Sequence, residues 1–320
     1  MRQSQQSLEP AGLEAQDLIT GAAALLFAAF SLVWPDTGVD RLLGLELAHG
    51  HLAALGFLVM AFFSLAVAPR IRPSSPLVAF LRRFYPQAYL LAFFSESILL
   101  SSIAFGGLSH DPAMAAADQA LFGFQPSIEF SRAFSHLPLV NELMFGAYFS
   151  YFVIMITTPW LAWFRGGREE ARRMVFAQAA LFVAVDLFYV FFRVQGPKYW
   201  FPELRSAWYG SFEGGAFVAF FQAVFDKAVL SGAAFPSTHV MLTFVSLRFA
   251  RRIDKRLFAA YLPLAALIVL STVYIYAHYA VDAIAGILAA LALAPLAERA
   301  QGPIEELCAK AGQLGAAARR

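Results

Sequence analysis

Residues 232–240 read GAAFPSTHV and place Pro236, Ser237, Thr238 and His239 together at the beginning of an apolar segment. Pro, Ser and Thr are typical of the first positions of a helix. The first backbone N–H groups of a helix have no partner within it, so they can bind an anion. The stretch therefore predicts a helix start at which an imidazole stands beside an anion site.

The chain around this stretch is too apolar for a water-soluble domain. It is 59% hydrophobic and only 14% charged, whereas soluble domains have about 25% charged residues. A membrane-spanning helix needs about 20 mostly apolar residues. The sequence predicts a single integral membrane domain over 1–320, an all-α polytopic helical bundle of about eight transmembrane helices. The predicted spans are 18–34, 51–68, 84–106, 137–164, 174–192, 237–250, 257–277 and 279–296, of which the sixth is short.

The basic residues orient these spans. If the polar segment 1–17 is cytoplasmic, 18 of the 24 Lys and Arg residues lie on the cytoplasmic side, as the positive-inside rule requires. This topology also makes the tail 299–320 cytoplasmic and the opposite face periplasmic or extracellular. Segment 1–17 lacks the basic start of a signal peptide, so we expect the first span to be a retained anchor. The single cysteine, Cys308, excludes a disulfide framework or a cysteine zinc cluster.

Further polar residues fall on the same outer side. His278 and Asp282 are four residues apart, a spacing that puts both on one face of a helix. We expect Asp282 to accept the ring N–H of His278, which leaves the other nitrogen nucleophilic. Lys198 and Arg205 can neutralise phosphate charge, and His239 can give a proton to a leaving oxygen. Together they predict a phosphate-handling site.

The order Lys-x6-Arg, Pro-Ser-x-His, His-x3-Asp resembles the type 2 phosphatidic acid phosphatase superfamily over about 196–286. The resemblance implies a catalytic core over 174–298, in the C-terminal helices, that needs no metal or other cofactor. It implies that His278 forms a phosphohistidine, that Asp282 is its partner and that His239 is the general acid. The residues implied in phosphate binding are Lys198, Arg205, Ser237 and Thr238.

The chain departs from the phosphatase pattern at three places. Ser206 replaces a Pro, Thr238 replaces a Gly, and Ser271-Thr272 stands where the pattern has Ser-Arg. These changes, with the sequences FPSTH, STVYIYAHYAVDAIAG and, more weakly, DQALFG at 118–123, are similar to the branch of inositol phosphorylceramide synthases and other lipid head-group phosphotransferases. A site with one arginine fewer suits a singly charged phosphodiester better than a phosphomonoester dianion.

The expected function is transfer of a phospho-head group from a phospholipid to a ceramide or other lipid hydroxyl, on the periplasmic side of a bacterial inner membrane. One alternative is a lipid phosphomonoester phosphatase of the phosphatidate or polyprenyl-phosphate type, and another is a non-catalytic lipid transporter or scaffold. Two further interpretations reuse the same residues. His239, His278 and Asp282 could bind a metal, although Lys198 and Arg205 would repel it. Ser237 could act in a serine triad, although no Gly-x-Ser-x-Gly elbow is present. Nucleic-acid binding is not expected, because topology explains the basic residues.

Overall fold

The computed structural model describes residues 12–34, 39–42, 45–104, 108–201, 204, 212–225 and 231–317. Within these ranges the chain is an all-α bundle that also contains one antiparallel hairpin, β1 (Val39–Leu42) with β2 (Leu45–Ala48). The helices are α1 (Ala15–Val33), α2 (His49–Phe62), α3 (Pro76–Ala104), α4 (Asp111–Phe122), α5 (Pro126–Phe134), α6 (Pro138–Leu161), α7 (Arg168–Phe191), α8 (Pro197–Trp200), α9 (Ala216–Phe225), α10 (Thr238–Ile253), α11 (Lys255–Tyr274) and α12 (Ala280–Ala317).

Seven helices of the described part are long and apolar enough to cross a membrane: α1, α2 with its continuation to Arg70, α3, α6 with its continuation to Gly166, α7, α11 and α12. The prediction of an all-α polytopic bundle is confirmed, and the chain is a multi-pass membrane protein. The remaining predicted span is α10, which has 16 residues. At 1.5 Å per residue it is about 24 Å long, shorter than the hydrocarbon core of a typical bilayer.

Two segments are more helical than the sequence analysis expected. The segment between the predicted spans 84–106 and 137–164 contains α4 and α5, each with a proline in its first turn. A proline is favourable there because its missing N–H has no intrahelical partner to lose. The polar tail from residue 299 continues α12 as far as Ala317. The domain boundaries of the catalytic core stay a prediction.

The first of two compact units consists of the described residues in 1–96, 175–183 and 295–320. Its core contains the rings of Phe27, Phe57 and Phe93, whose centroids are 5.3 to 5.7 Å apart. A buried ion pair joins α3 to α1, because Arg82 Nη1 donates to Asp17 Oδ1 at 2.8 Å. The carboxylate also accepts hydrogen bonds from the hydroxyl of Tyr85 and the backbone N–H of Glu14, which help to compensate its buried charge.

The second unit consists of the described residues in 97–174 and 184–294. Helices α6, α10 and α11 pack against one another in it. One hydrophobic cluster in this unit includes the buried side chains of Phe145, Tyr148, Phe221 and Tyr274. All the predicted site residues that the structure describes lie in this unit.

Candidate active site

The predicted helix start at Ser237 is present and buried. Ser237 is the N-cap of α10, and its side chain accepts a hydrogen bond from the N–H of Val240 at 3.4 Å. Tyr189 holds the preceding turn by donating its hydroxyl proton to the carbonyl of Pro236 at 2.5 Å. Ser237 and Thr238 are both almost fully buried. The first N–H groups of α10 therefore form a candidate anion site shielded from solvent.

His278 lies in the turn between α11 and α12, not on a helix. Its Nδ1 is 2.8 Å from the carbonyl oxygen of Ala234. A carbonyl oxygen can only accept, so Nδ1 carries the proton and Nε2 keeps its lone pair. Nε2 has no hydrogen-bond partner among the described residues. The turn thus presents the ring in the tautomer that a nucleophile requires.

The expected hydrogen bond from His278 to Asp282 is not formed. Nδ1 is 3.6 Å from Asp282 Oδ2, which accepts instead from the backbone N–H of Tyr279 at 2.9 Å. The helical spacing rule does not apply, because α12 begins only after His278. Asp282 Oδ1 is buried and has no hydrogen-bond partner in the described part of the chain. The carboxylate is therefore placed to stabilise positive charge on the imidazole through proximity, while the carbonyl of Ala234 sets the tautomer.

His239 lies in an aromatic box beside His278. Its ring centroid is 4.4 Å from that of Tyr148, 4.3 Å from that of Tyr151 and 5.7 Å from that of Phe152. The centroids of the two histidine rings are 5.7 Å apart. Both ring nitrogens of His239 are buried, and neither has a hydrogen-bond partner within the described ranges. A buried polar atom without a hydrogen-bond partner lowers the stability of the fold. An imidazole held this way is therefore typical of a site that binds a ligand.

Lys198 comes from α8 and is joined to the turn that carries His278. Its backbone N–H donates to the carbonyl of Tyr276 at 3.0 Å, and its side chain is buried with Nζ 4.8 Å from the ring centroid of Tyr199. Gly196 allows this close approach: it has φ of 91°, and a Cβ at this position would be 2.6 Å from the carbonyl oxygen of Ala277. The other predicted cation, Arg205, lies outside the described residues.

The sequence analysis missed Asp111, which joins two parts of the site. Its carboxylate accepts from the backbone N–H groups of Gln195 and Gly196 at 2.7 and 2.9 Å, and from the hydroxyl of Tyr279 at 2.9 Å. Asp111 is fully buried. It holds the segment before Lys198 against the residue after His278, and so acts as a positioning residue.

Asp118 lies two turns further along α4, on the same face as Asp111, and caps α12. Its two oxygens accept from the backbone N–H groups of Ala280 and Val281 at 3.0 and 2.9 Å. Burial raises the pKa of Asp118, and these two hydrogen bonds oppose the rise. The sequence signal for these positioning roles was two acidic residues seven positions apart. The backbone groups that they bind are more than 80 residues away in the sequence, so the contacts themselves could not be predicted.

The metal-site and serine-triad interpretations have no support in the described geometry. Among the described residues, no group of three or more His, Cys, Asp or Glu side chains is arranged to hold a metal ion. The hydroxyl of Ser237 serves the helix cap, and no Ser237–His278 hydrogen bond is found in the described part of the chain. A serine triad would require that bond.

A family model described as the PAP2 superfamily matches residues 113–296, which is more than half of the chain. The matched range contains the two histidines, Asp282, Lys198 and the α10 start described above. No curated protein and no solved structure matches the chain. By this match the chain belongs to the PAP2 superfamily, whose members are phosphatases and phosphotransferases.

Proposed function

We propose that this protein transfers a phospho-head group from a phospholipid to a lipid hydroxyl, through a phosphohistidine at His278. The observation that carries the proposal is the 2.8 Å contact between His278 Nδ1 and the carbonyl of Ala234. That contact leaves the Nε2 lone pair available for attack on phosphorus. The ring of His239, at 5.7 Å between centroids, is close enough for both imidazoles to contact one phosphate group.

The proposed transfer takes two steps, and each forms one bond to phosphorus and breaks another. In the first, Nε2 of His278 bonds to phosphorus, the bond between phosphorus and the diacylglycerol oxygen breaks, and protonated His239 gives that oxygen a proton. In the second, the acceptor hydroxyl attacks phosphorus, His239 takes back the hydroxyl proton, and the phosphorus–nitrogen bond breaks. Lys198 and the first N–H groups of α10 stabilise the charge on the phosphate oxygens, and Arg205 has the same role by its motif position.

The position at which the phosphatase pattern has an arginine is Thr272 in this chain, and this difference favours a phosphodiester donor. Ser271 and Thr272 are fully buried, and their hydroxyls donate to the carbonyls of Ile268 and Val269 in their own helix. This position therefore supplies no positive charge. A phosphodiester carries one negative charge and a phosphomonoester up to two, so a site with fewer cations suits the diester better. We place the site on the periplasmic face of a bacterial inner membrane, with a ceramide or another lipid alcohol as acceptor.

Trapping the phosphoenzyme tests the mechanism. Purified protein is mixed with phosphatidylinositol carrying radiolabelled phosphorus, quenched in alkali and digested. We expect an acid-labile, alkali-stable label on the peptide that contains His278, and no label on the His278→Ala variant. An Arg173→Ala variant is the control, because Arg173 is half exposed and pairs with Glu169 by an ordinary helix-surface salt bridge. A label on another residue would overturn the proposed nucleophile.

The acceptor is tested separately, by comparing a phospholipid with ceramide and a lipid phosphomonoester with water. We expect transfer to the ceramide and slow monoester hydrolysis. Rapid monoester hydrolysis without any transfer would replace the transferase with the phosphatase alternative. Undiminished activity of His278→Ala in cells would instead favour a transporter or scaffold.

A further inference from the structure

The exposed face of α4 is apolar, and its acidic side chains point into the protein. The helix has three polar residues, and the two acids among them, Asp111 and Asp118, are fully buried. The third, Gln119, is exposed, but its Nε2 donates to the carbonyl of Gly123 at the end of the same helix. The other exposed side chains of α4 are Pro112, Ala113, Ala116, Ala120, Leu121 and Phe122. A helix that faces water has the opposite arrangement, with polar side chains outside.

The opposite face of α4 packs against the candidate active site. Met114 and Ala115 contact a buried cluster that contains Ala234 and Tyr279. Ala234 is the residue whose carbonyl lies 2.8 Å from Nδ1 of His278. The apolar exposed face is therefore the face that is turned away from the site, about one helix diameter, or roughly 10 Å, from it.

The apolar surface continues beyond α4 to the start of a membrane-spanning helix. Phe124 follows the end of α4, Phe134 ends α5 and Leu137 precedes α6, and all three side chains are exposed. Leu139, in the first turn of α6, is 83% exposed. Because α6 is long and apolar enough to cross the membrane, lipid covers its exposed apolar side chains. The α4 surface is thus continuous along the chain with a surface that lipid covers.

Helix α5 marks the polar boundary of this surface. Its residues Glu129 and Arg132 are exposed and form an ion pair at 2.6 Å. Charged side chains are unfavourable in the hydrocarbon core, so this pair belongs among lipid head groups or in water. Gln125 fixes the start of α5 to α4, because its Nε2 donates to the carbonyl of Ala115 at 2.8 Å. The two neighbouring helices therefore expose surfaces that suit different depths of a membrane.

The backbone at both ends of α4 is compatible with contact with lipid. The N–H groups of Ala113 and Met114 donate to the carbonyl of His110, and the N–H of Gly123 donates to the carbonyl of Gln119. Lipid supplies no partner for a free N–H group, so such internal bonds are required there. The helix has 12 residues, which makes it about 18 Å long and too short to cross the bilayer.

We propose that α4 lies in the membrane interface, with its exposed face against the acyl chains and the α5 ion pair at the level of the head groups. The partner of this surface is the lipid bilayer itself. The inference does not depend on the proposed reaction, because it follows from the exposure and polarity of the side chains. Asp111 and Asp118 then position segments of the candidate active site from a helix that contacts lipid.

Fluorescence quenching tests this placement. In a Cys308→Ala background, Ala116→Cys and Leu121→Cys are labelled with an environment-sensitive fluorophore and reconstituted into phosphatidylcholine nanodiscs. Arg132→Cys, on the neighbouring α5, is the matched control, because the Arg132 side chain is 69% exposed. We expect the two α4 labels to emit at a shorter wavelength than the control and to be quenched by a nitroxide on the acyl chains. The control label should be quenched by iodide from the water phase.

Iodide quenching of the α4 labels as strong as that of the control would place α4 in water and overturn the proposal. Shielding of the α4 labels from both quenchers would also overturn it, because a protein partner would then cover the surface. Wild-type protein gives a second readout that needs no substitution. Phosphatidylcholine with a photoreactive diazirine on its acyl chain should cross-link to the peptide that contains α4 as well as to α6. Cross-links on α6 without any on α4 would contradict the proposal.

Discussion

At the scale of single residues, the two histidines have opposite surroundings. His278 is oriented by one backbone hydrogen bond, whereas His239 is held only by aromatic packing and has two unpaired ring nitrogens within the described ranges. Hydrogen bonding suits a nucleophile, whose tautomer must be constant. Packing suits an acid and base, whose nitrogens must be free to change protonation during the reaction. These different surroundings fit the two different roles proposed for the histidines.

The assignment of His239 as the general acid predicts an effect that depends on the leaving group. His239→Gln should lower transfer from a phospholipid about 10²- to 10⁴-fold, the usual contribution of general acid catalysis. In the first turnover, the variant should release p-nitrophenol from a p-nitrophenyl phosphodiester almost as fast as the wild type, because this leaving group needs no proton. Equal losses in the first turnover of both substrates, measured by rapid mixing, would remove His239 from this role.

The backbone conformation of Gly196 allows the segment before Lys198 to approach the turn that carries His278. Gly196→Ala puts a Cβ 2.6 Å from the carbonyl of Ala277 at a φ of 91°. We expect a loss of about 1–3 kcal/mol in the free energy of unfolding, together with reduced transfer, because the turn before His278 must move. Gly302→Ala is the matched control, since a Cβ there has no neighbour within 4 Å. Thermal unfolding in detergent measures both, and equal melting temperatures would contradict the prediction.

At the scale of elements, α4 positions two segments of the candidate active site. Asp111 holds the segment before α8, and Asp118 caps α12 from a distance. Both carboxylates satisfy backbone N–H groups that otherwise have no partner. A segment that hydropathy places between spans therefore helps to position the candidate active site.

The capping hydrogen bonds of Asp118 predict that different substitutions at this position lower the free energy of unfolding by different amounts. Asp118→Ala should lower the free energy of unfolding by about 0.5–2 kcal/mol, because two N–H groups of the first turn of α12 lose their acceptor. Asp118→Asn keeps one acceptor oxygen and should lose less. Melting temperatures of the three proteins at one detergent concentration give the order, and an order with Asn below Ala would argue against a capping role.

At the scale of the whole molecule, membrane topology decides which leaflet the active site faces. The asymmetry of Lys and Arg predicts that His136 is outside and Arg251 is cytoplasmic. Both positions are exposed in the structure. The chain has a single cysteine, Cys308, which is buried. A Cys308→Ala background is therefore suitable for cysteine labelling.

In that background, His136→Cys should react with a membrane-impermeant maleimide in intact cells, and Arg251→Cys only after permeabilisation. The reason is that the reagent reaches the outer face alone. Retained transfer activity in each variant shows that the fold is unchanged. The reverse labelling pattern would move the active site to the cytoplasmic face.

Much of the fold could be predicted from the sequence, because hydropathy is a local property. Each predicted span became a helix, and even the short sixth one was anticipated from its length. The α10 start was also predictable, since Pro236, Ser237 and Thr238 are adjacent in the chain. Helices α4 and α5 were missed, because hydropathy scans for spans and these helices are short.

The amino-acid sequence by itself determined the all-α bundle, the helix start at Ser237 and the family to which the chain belongs. Only the tertiary structure decided that His278 bonds to the carbonyl of Ala234, that aromatic rings surround His239 and that α4 caps α12. The physical reason is distance along the chain. Burial and helix propensity act over a few residues, whereas these hydrogen bonds and ring contacts join residues separated by 44 to 163 positions.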